Sequence, residues 1–178
     1  MLPQKPFNTL IMKFTAFLLL LHIFSGCHQQ SADSDAQPPA ETSETQEPTL
    51  SQKIVKYAKT LRGVPYKYAA SDPKVGFDCS GFVNHVYGSF GVEVPRSSVN
   101  FKDAGPTIPV TEAMPGDIVL FTGTSPDSQQ IGHLGIVTKN DQDGIKFIHS
   151  TSGKKYSVVI TPLSGHYERR FVKVIRVL

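Results

Sequence analysis

GFDCSGFV, at residues 76–83, places a cysteine where a turn meets a helix. Asp78 and Ser80 are residue types that favour helix caps, and the apolar residues that follow recur at helical spacing. Cys79 is therefore predicted in the first turn of a helix. Because the helix macrodipole and free backbone N–H groups favour an anion there, we expect the Cys79 thiol to ionise more easily than a free thiol. The same N–H groups can bind the oxyanion that forms when a thiolate attacks a carbonyl.

Two histidines in later strand-like segments are candidate partners of this thiol. IGHLGIV, at residues 131–137, places His133 between two glycines, and KFIHS, at residues 146–150, places His149 in a second apolar run. A cysteine nucleophile needs a base and a group that orients the base. Since these residues are far from Cys79 in sequence, the three can meet only through the fold.

These motifs resemble those of the NlpC family of papain-like cysteine peptidases, which cut bacterial cell-wall peptides. DCSGFV is similar to the family's nucleophile motif, GHLGIV to its base motif, FIHS to the segment of its third polar residue, and MPGDIVLF, at residues 114–121, to a strand start. The matches run through residues 51–178. The resemblance implies a papain-like α+β fold, with N-terminal helices packed on a mostly antiparallel sheet of about five or six strands. The order of the predicted elements, helices before short strands, also favours the α+β class.

The resemblance further implies roles for the site residues. Cys79 is the expected nucleophile, His133 would hold the thiolate as an ion pair and protonate the leaving amine, and His149 would orient the His133 ring. The backbone N–H of Cys79 is the expected oxyanion donor. In the family a tyrosine leans over the nucleophile, and Tyr66 is the closer match with Tyr68 as the alternative.

Substrate expectations also rest on the resemblance. The family cuts murein stem peptides, commonly between D-γ-glutamyl and a diamino acid, and residues beside the nucleophile can hold a free amine of the substrate. Asp78 and Ser80 stand in those places, whereas Arg96 would either touch substrate or make a structural salt bridge. No SH3-like module fits in residues 28–50, so we expect an open groove and an endopeptidase. We also expect a monomer that needs no metal and no cofactor.

The first 50 residues predict export and a tether. Residues 12–26 combine a short basic start, an apolar run too brief for a comfortable membrane span and two small residues before Cys27. Residues 1–27 thus resemble a bacterial lipoprotein signal with Cys27 as the lipid-bearing residue, although Phe24 stands where leucine is usual. Residues 28–50 have almost no large apolar side chains and predict a disordered linker. We expect a lipid-anchored protein of the cell envelope, on the periplasmic side of the outer membrane; plain secretion and an uncleaved anchor are the alternatives.

Charge and composition bear on competing functions. Residues 51–178 carry 16 lysines and arginines against 10 acidic residues, but no basic run has interleaved aromatics, so nucleic acid is not an expected partner. A zinc site built from Cys79, His133 and His149 is one alternative, although the chain has no CxxC or HxxxH pair. The other alternative is a non-catalytic wall-binding lipoprotein with the same fold.

Overall fold

Residues 47–125 and 128–178 are described by the structure, a computed structural model, so Cys27 and nearly all of the predicted linker lie outside them. No helix in these two ranges is both long and apolar enough to cross a bilayer. Among the described residues, three short 3-10 helices accompany the main elements, at Ser98–Asp103, Val110–Glu112 and Glu168–Arg170. In chain order the main elements are α1 (Leu50–Thr60), β1 (Ser71–Asp72), β2 (Gly76–Phe77), α2 (Cys79–Gly88), β3 (Thr107–Ile108), β4 (Ile118–Thr122), β5 (Ile131–Asp141), β6 (Gly144–Ser150), β7 (Val158–Pro162) and β8 (Phe171–Ile175).

Helix α1 begins at Leu50, the last residue of the predicted linker. Thr49 is the N-cap, because its hydroxyl accepts the N–H of Gln52 while the Gln52 side chain accepts the N–H of Thr49. This reciprocal capping box satisfies two donors that a helix start leaves free. Thr49 and Leu50, at the end of the predicted linker, therefore belong to the folded part. The helix buries one apolar face, formed by Ile54, Val55 and Ala58.

Six strands form one antiparallel sheet in the order β3-β8-β4-β5-β6-β7, and β1 and β2 form a separate two-stranded sheet. β5 and β6 form a hairpin, while β8 pairs with β4 and with β3. The helices contact the sheet mainly through α2 and β5. The predicted α+β class and strand number are therefore confirmed.

The sheet is buried on both faces, which fixes the positions of its side chains. Along β4, Ile118 and Leu120 join a core cluster with α1 and α2, whereas Val119 and Phe121 join a second cluster on the other face. In α2, Phe82 and its apolar neighbours are fully buried. Burying one such side chain stabilises the fold by about 1.5–3 kcal/mol, so the start of α2 is firmly anchored.

An ion pair between buried Asp117 and partly exposed Arg176 explains the aspartate of the MPGD segment. Arg176 donates to both carboxylate oxygens of Asp117, at 2.7 and 2.8 Å, and the N–H of Met114 donates to the same carboxylate at 2.7 Å. Tyr87 of α2 donates its hydroxyl to the carbonyl of Gly116. These contacts join the start of β4 to the end of the chain and to α2, so the Asp117 motif has a structural role here.

Candidate active site

Cys79 is the first residue of α2, as predicted. Asp78 is the N-cap, and its Oδ1 accepts the N–H of Gly81 at 2.6 Å. A Cβ at Gly81 would lie 2.1 Å from the carbonyl oxygen of Ala70. Only glycine therefore lets the helix approach the loop before β1 so closely, and this contact fixes where the Cys79 side chain enters the site.

Two histidines meet on adjacent strands of the sheet. Nε2 of His133, on β5, lies 2.9 Å from Nδ1 of His149, on β6, and the rings are nearly perpendicular at 85°. Gly135 makes this pairing possible, because a Cβ there would come within 2.6 Å of the Phe147 ring and 2.8 Å of the Ile148 carbonyl. The GHLG motif thus combines a functional imidazole with a residue that lets β6 come close.

Cys79 and His133 line the same cleft, a cavity of about 400 Å³ that we call the His133 arm. Sγ of Cys79 lies 4.0 Å from the carbonyl oxygen of Gly132, the residue before His133. Because Nε2 of His133 contacts His149, Nδ1 is the nitrogen that remains for the thiol. The structure thus brings together the three residues that the sequence singles out. The wall of the His133 arm includes Tyr66, His166, Tyr167 and Arg170.

Two further residues contact the histidines and were missed from the sequence. Oγ1 of Thr161, on β7, lies 2.9 Å from Nε2 of His149, whose side chain is fully buried. The ring centroid of Tyr167 lies 5.8 Å from that of His133 and 5.1 Å from that of His149. His149 faces Val159 across the strand pair, so Thr161, two residues on, shares its face. Predicting this contact requires the strand register, which the sequence alone does not supply.

The expectation of an easily ionised thiol is wrong. Burial first, and then the Asp78 carboxylate, raise the pKa of Cys79 to about 11, against smaller lowering by backbone N–H groups that include those of Ser80 and Leu134. The helix start does favour the thiolate, but the N-cap that makes the helix start also places a negative charge beside the sulfur. The isolated thiolate is therefore disfavoured, and the resting residue is a thiol.

Both histidines of the pair are held neutral. Burial lowers the pKa of His133 well below its usual value, and the neighbouring side chains of His149, Arg170 and His166 disfavour its charged form further. Burial alone lowers the pKa of His149 to about 3. The expectation that His133 holds the Cys79 thiolate as an ion pair is therefore corrected. The resting state is a thiol and a neutral imidazole, and both charges arise only when the proton is transferred.

A second cavity, of about 650 Å³, meets the first at Cys79 and does not reach His133. We call it the Arg96 arm, after a side chain that is 41% exposed there and donates to both carboxylate oxygens of Asp78, at 2.7 and 3.0 Å. Arg96 also lies 3.2 Å from the hydroxyl of Ser80. Arg96 thus makes the structural salt bridge that was one of its two expected roles. Because this pair already uses the Asp78 carboxylate, amine binding by Asp78 and Ser80 remains a prediction.

The two candidate tyrosines, Tyr66 and Tyr68, differ in burial and in their position in the cleft. Tyr66 is part-buried and lines both arms of the cleft, whereas Tyr68 is 81% exposed and lines only the Arg96 arm. Burial, followed by the nearby Cys79 and Asp78, raises the pKa of Tyr66, so its phenol stays protonated and can donate a hydrogen bond. Of the two tyrosines, Tyr66 is therefore the better placed to lie over Cys79.

A metal site finds no support within residues 47–125 and 128–178. No group of three or more His, Cys, Asp or Glu side chains in these ranges is arranged to hold an ion. Cys79 is a free thiol, and Nε2 of His133 and both ring nitrogens of His149 face other side-chain partners instead.

Known proteins are similar to this chain in sequence and in fold. The chain is 34% identical over 124 residues to the bifunctional muramidase/DL-endopeptidase CwlT of Bacillus subtilis (strain 168), covering 70% of this chain and 36% of CwlT. It is 33% identical over 119 residues to the murein DD-endopeptidase MepS/murein LD-carboxypeptidase of Escherichia coli (strain K12), covering 66% of this chain and 57% of that protein. The chain thus spans between about a third and somewhat over half of these relatives.

A solved structure and a family model agree with these relatives. An NlpC/P60 family protein from Bacillus cereus ATCC 10987 matches with a TM-score of 0.64 at 26% identity, over 74% of this chain and 41% of that one. The predicted papain-like fold is thereby confirmed. Residues 63–176, more than half of the chain, match the model of the NlpC/P60 family. The chain therefore belongs to the NlpC/P60 family.

Proposed function

We propose that residues 51–178 form a cysteine peptidase that hydrolyses amide bonds of peptidoglycan stem peptides through a thioester. One observation carries the proposal: Cys79 and His133 line one cleft, while Nε2 of His133 lies 2.9 Å from Nδ1 of His149. The names of the relatives, a DL-endopeptidase and a murein DD-endopeptidase, support the substrate class.

The order of hydrogen-bond donors decides whether His133 can act as a base. With a pKa of about 3, His149 is neutral and carries a single ring N–H. If that N–H is on Nε2 and donates to Thr161, Nδ1 of His149 accepts the Nε2–H of His133. Nδ1 of His133 then presents a lone pair toward the thiol. In the reverse order, the Nδ1–H of His149 would face the Nε2–H of His133 once His133 is charged, and neither nitrogen could accept. By accepting the Nε2–H of His149, Thr161 selects the first order, so Thr161 is a positioning residue.

Acylation follows from this arrangement. Sγ of Cys79 attacks the amide carbonyl while its proton passes to Nδ1 of His133, so thiolate and imidazolium charges never exist apart from each other. The backbone N–H of Cys79 and the phenol of Tyr66 donate to the oxyanion. The intermediate collapses with cleavage of the C–N bond, and His133 gives its proton to the departing amine.

Deacylation uses the same groups in the opposite sense. His133 accepts a proton from water as the water oxygen attacks the thioester carbonyl. The C–S bond breaks, Cys79 recovers its proton from His133, and the carboxylic acid product leaves. No cofactor enters either step.

The bond that is cut belongs to the proposal as well. We propose cleavage between D-γ-glutamyl and a diamino acid, or at a crosslink, with the acyl side of the stem peptide in the Arg96 arm. There Tyr66, Ser80 and the pair formed by Asp78 and Arg96 offer polar contacts. A free amine of the substrate would compete with Arg96 for Asp78.

The location of the enzyme is proposed from the sequence. A lipid on Cys27 and a flexible segment at residues 28–50 would hold a monomeric peptidase domain at the periplasmic face of the outer membrane. Labelling of cells with an alkyne fatty acid tests this, because wild-type protein should take up the label and Cys27→Ala should not.

Defined stem peptides of different length and crosslinking test the proposed reaction. Wild-type protein should release products that mass spectrometry identifies, with or without a chelator. Cys79→Ala and His133→Gln should abolish release, whereas His85→Gln changes a histidine that contacts Tyr57 outside the site and should retain it. Release by Cys79→Ala would refute the assignment. A wild-type protein that binds peptidoglycan without cleaving any peptide would instead support the non-catalytic alternative.

A further inference from the structure

The His133 arm contains a cation that the proposed chemistry does not use. Arg170 and His166, from the segment between β7 and β8, line this arm together with Cys79 and His133. Arg170 is half-buried, and His166 is exposed. Neither residue belongs to a motif that the sequence analysis singled out, so the function of this wall needs its own explanation.

Arg170 is held in place by neutral partners. Its Nε donates to the carbonyls of Thr122 and Gly123 at 3.2 Å, its Nη2 donates to Thr122 at 2.5 Å, and its Nη1 donates to Nε2 of His166 at 2.8 Å. A guanidinium has five N–H donors, so these three nitrogens leave one hydrogen each on Nη1 and Nη2. The side chain is thus fixed in direction but still able to donate.

The charge of Arg170 is not neutralised by any carboxylate within 4.0 Å in residues 47–125 and 128–178, where the ion pairs are those of Arg96, Lys139 and Arg176. Burial lowers the pKa of this guanidinium, which means that its surroundings penalise the cation. A carboxylate that bound beside it would offset that penalty through charge-assisted hydrogen bonds.

The proposed mechanism decides which part of a substrate meets this cation. His133 delivers the proton to the departing amine, so the leaving group must lie beside His133. The Arg96 arm does not reach His133, and the acyl side of the substrate therefore lies there. The leaving group occupies the arm that holds Arg170 and His166.

We propose that Arg170, together with His166, binds a carboxylate on the amino acid that leaves with the amine. The proposal rests on the function proposed above and narrows its substrate class. The residue after the scissile bond carries a free carboxylate, from a diaminodicarboxylic acid side chain or from the C-terminus of the stem. Neutral His166 accepts from Arg170 through Nε2, so its Nδ1–H is free to join the contact.

Four versions of one peptide test this, namely L-alanyl-γ-D-glutamyl-meso-diaminopimelate with both terminal-residue carboxylates free, either one amidated, or both amidated. Wild-type kcat/KM should be at least tenfold higher for the free peptide than for the diamide. The singly amidated peptides identify which carboxylate is bound, because only amidation of that group should lower the rate. A ratio near one for the wild-type protein would overturn the proposal without any variant.

Matched variants test the assignment to Arg170. Arg170→Gln should lower the ratio of free peptide to diamide at least fivefold, and Arg170→Lys, which keeps the charge, should lower it less. Arg169→Gln removes an exposed neighbouring charge and should keep the wild-type ratio. If Arg170→Gln also keeps that ratio while folded, as shown by its thermal melt, the assignment is wrong.

Binding separates this proposal from the proposed reaction. Titration calorimetry of the same peptides with Cys79→Ala should give at least a tenfold lower Kd for the free peptide than for the diamide. That preference without turnover by wild-type protein would refute the proposed peptidase activity and support the proposed carboxylate site. Turnover by wild-type protein without any preference for the free peptide would support the peptidase activity and refute the carboxylate site.

Discussion

Thr161→Val removes the hydroxyl that contacts His149 while keeping a β-branched side chain of similar size on β7. Nε2 of His149 lies 2.9 Å from Oγ1 of Thr161, and His149 has no exposed surface. In the variant, either the buried N–H of His149 loses its acceptor, or its proton moves to Nδ1 and faces His133. Both outcomes disfavour the charged form of His133 that proton transfer creates.

The size of the effect follows from the burial of His149. Leaving a buried donor without a partner costs about 1–3 kcal/mol. If that cost falls on the transition state, kcat should decrease about 5- to 150-fold. KM should change little, because Thr161 lies behind the histidines and outside both arms of the cleft.

Peptide release measured by liquid chromatography and mass spectrometry tests this expectation. Thr161→Ser keeps a hydroxyl and should retain most of the activity. Thr138→Val is a matched control, since it removes a threonine hydroxyl that donates to the Lys146 carbonyl elsewhere in the same sheet. A folded Thr161→Val with a kcat within twofold of the wild-type value would refute the positioning role.

Three other predictions follow from the described residues. The unfolded state binds a proton at His149 below pH 6.5 that the native state, with a pKa of about 3, does not bind, so this residue alone should lower the free energy of unfolding by about 3 kcal/mol from about pH 6.5 to about pH 4. His133, whose pKa is lowered as well, adds to the loss; urea titrations should show a loss of at least about 3 kcal/mol in the wild-type protein and a smaller one in His149→Gln. Ala69 has a left-handed φ of 58°, so Ala69→Gly should raise the free energy of unfolding by about 1 kcal/mol, and a lower value would contradict the strain. Because the pKa of Cys79 is raised to about 11, its alkylation by iodoacetamide should speed up about tenfold per pH unit between about pH 7 and about pH 10, whereas a plateau at neutral pH would indicate a preformed thiolate.

Local sequence patterns predicted the elements that carry the site. The turn-to-helix signal at Asp78 and Cys79 survives in the structure because a cap and an apolar helix face act within a few residues. The strands that carry His133 and His149 are also marked by short apolar runs, and the polar turn between them closes the hairpin. These features need no knowledge of distant contacts.

Features that depend on distant contacts escaped prediction. The pairing of β8 with β4, the register that places Thr161 beside His149, and the wall formed by Arg170 all join segments far apart in the chain. The pKa of Cys79 escaped for the same reason, because its first cause is burial by the whole fold. The helix start alone predicted a lowered pKa for Cys79, whereas the structure raises it.

Trapping of the acyl-enzyme tests the nucleophile most directly. Wild-type protein is mixed with a stem peptide, quenched in acid on the millisecond scale, and its intact and peptide masses are measured. The expected result is an adduct on Cys79 with the mass of the acyl portion of the substrate, absent from Cys79→Ala. Peptide hydrolysis by Cys79→Ala at the wild-type rate, with no adduct on the wild-type sulfur, would contradict a thioester mechanism.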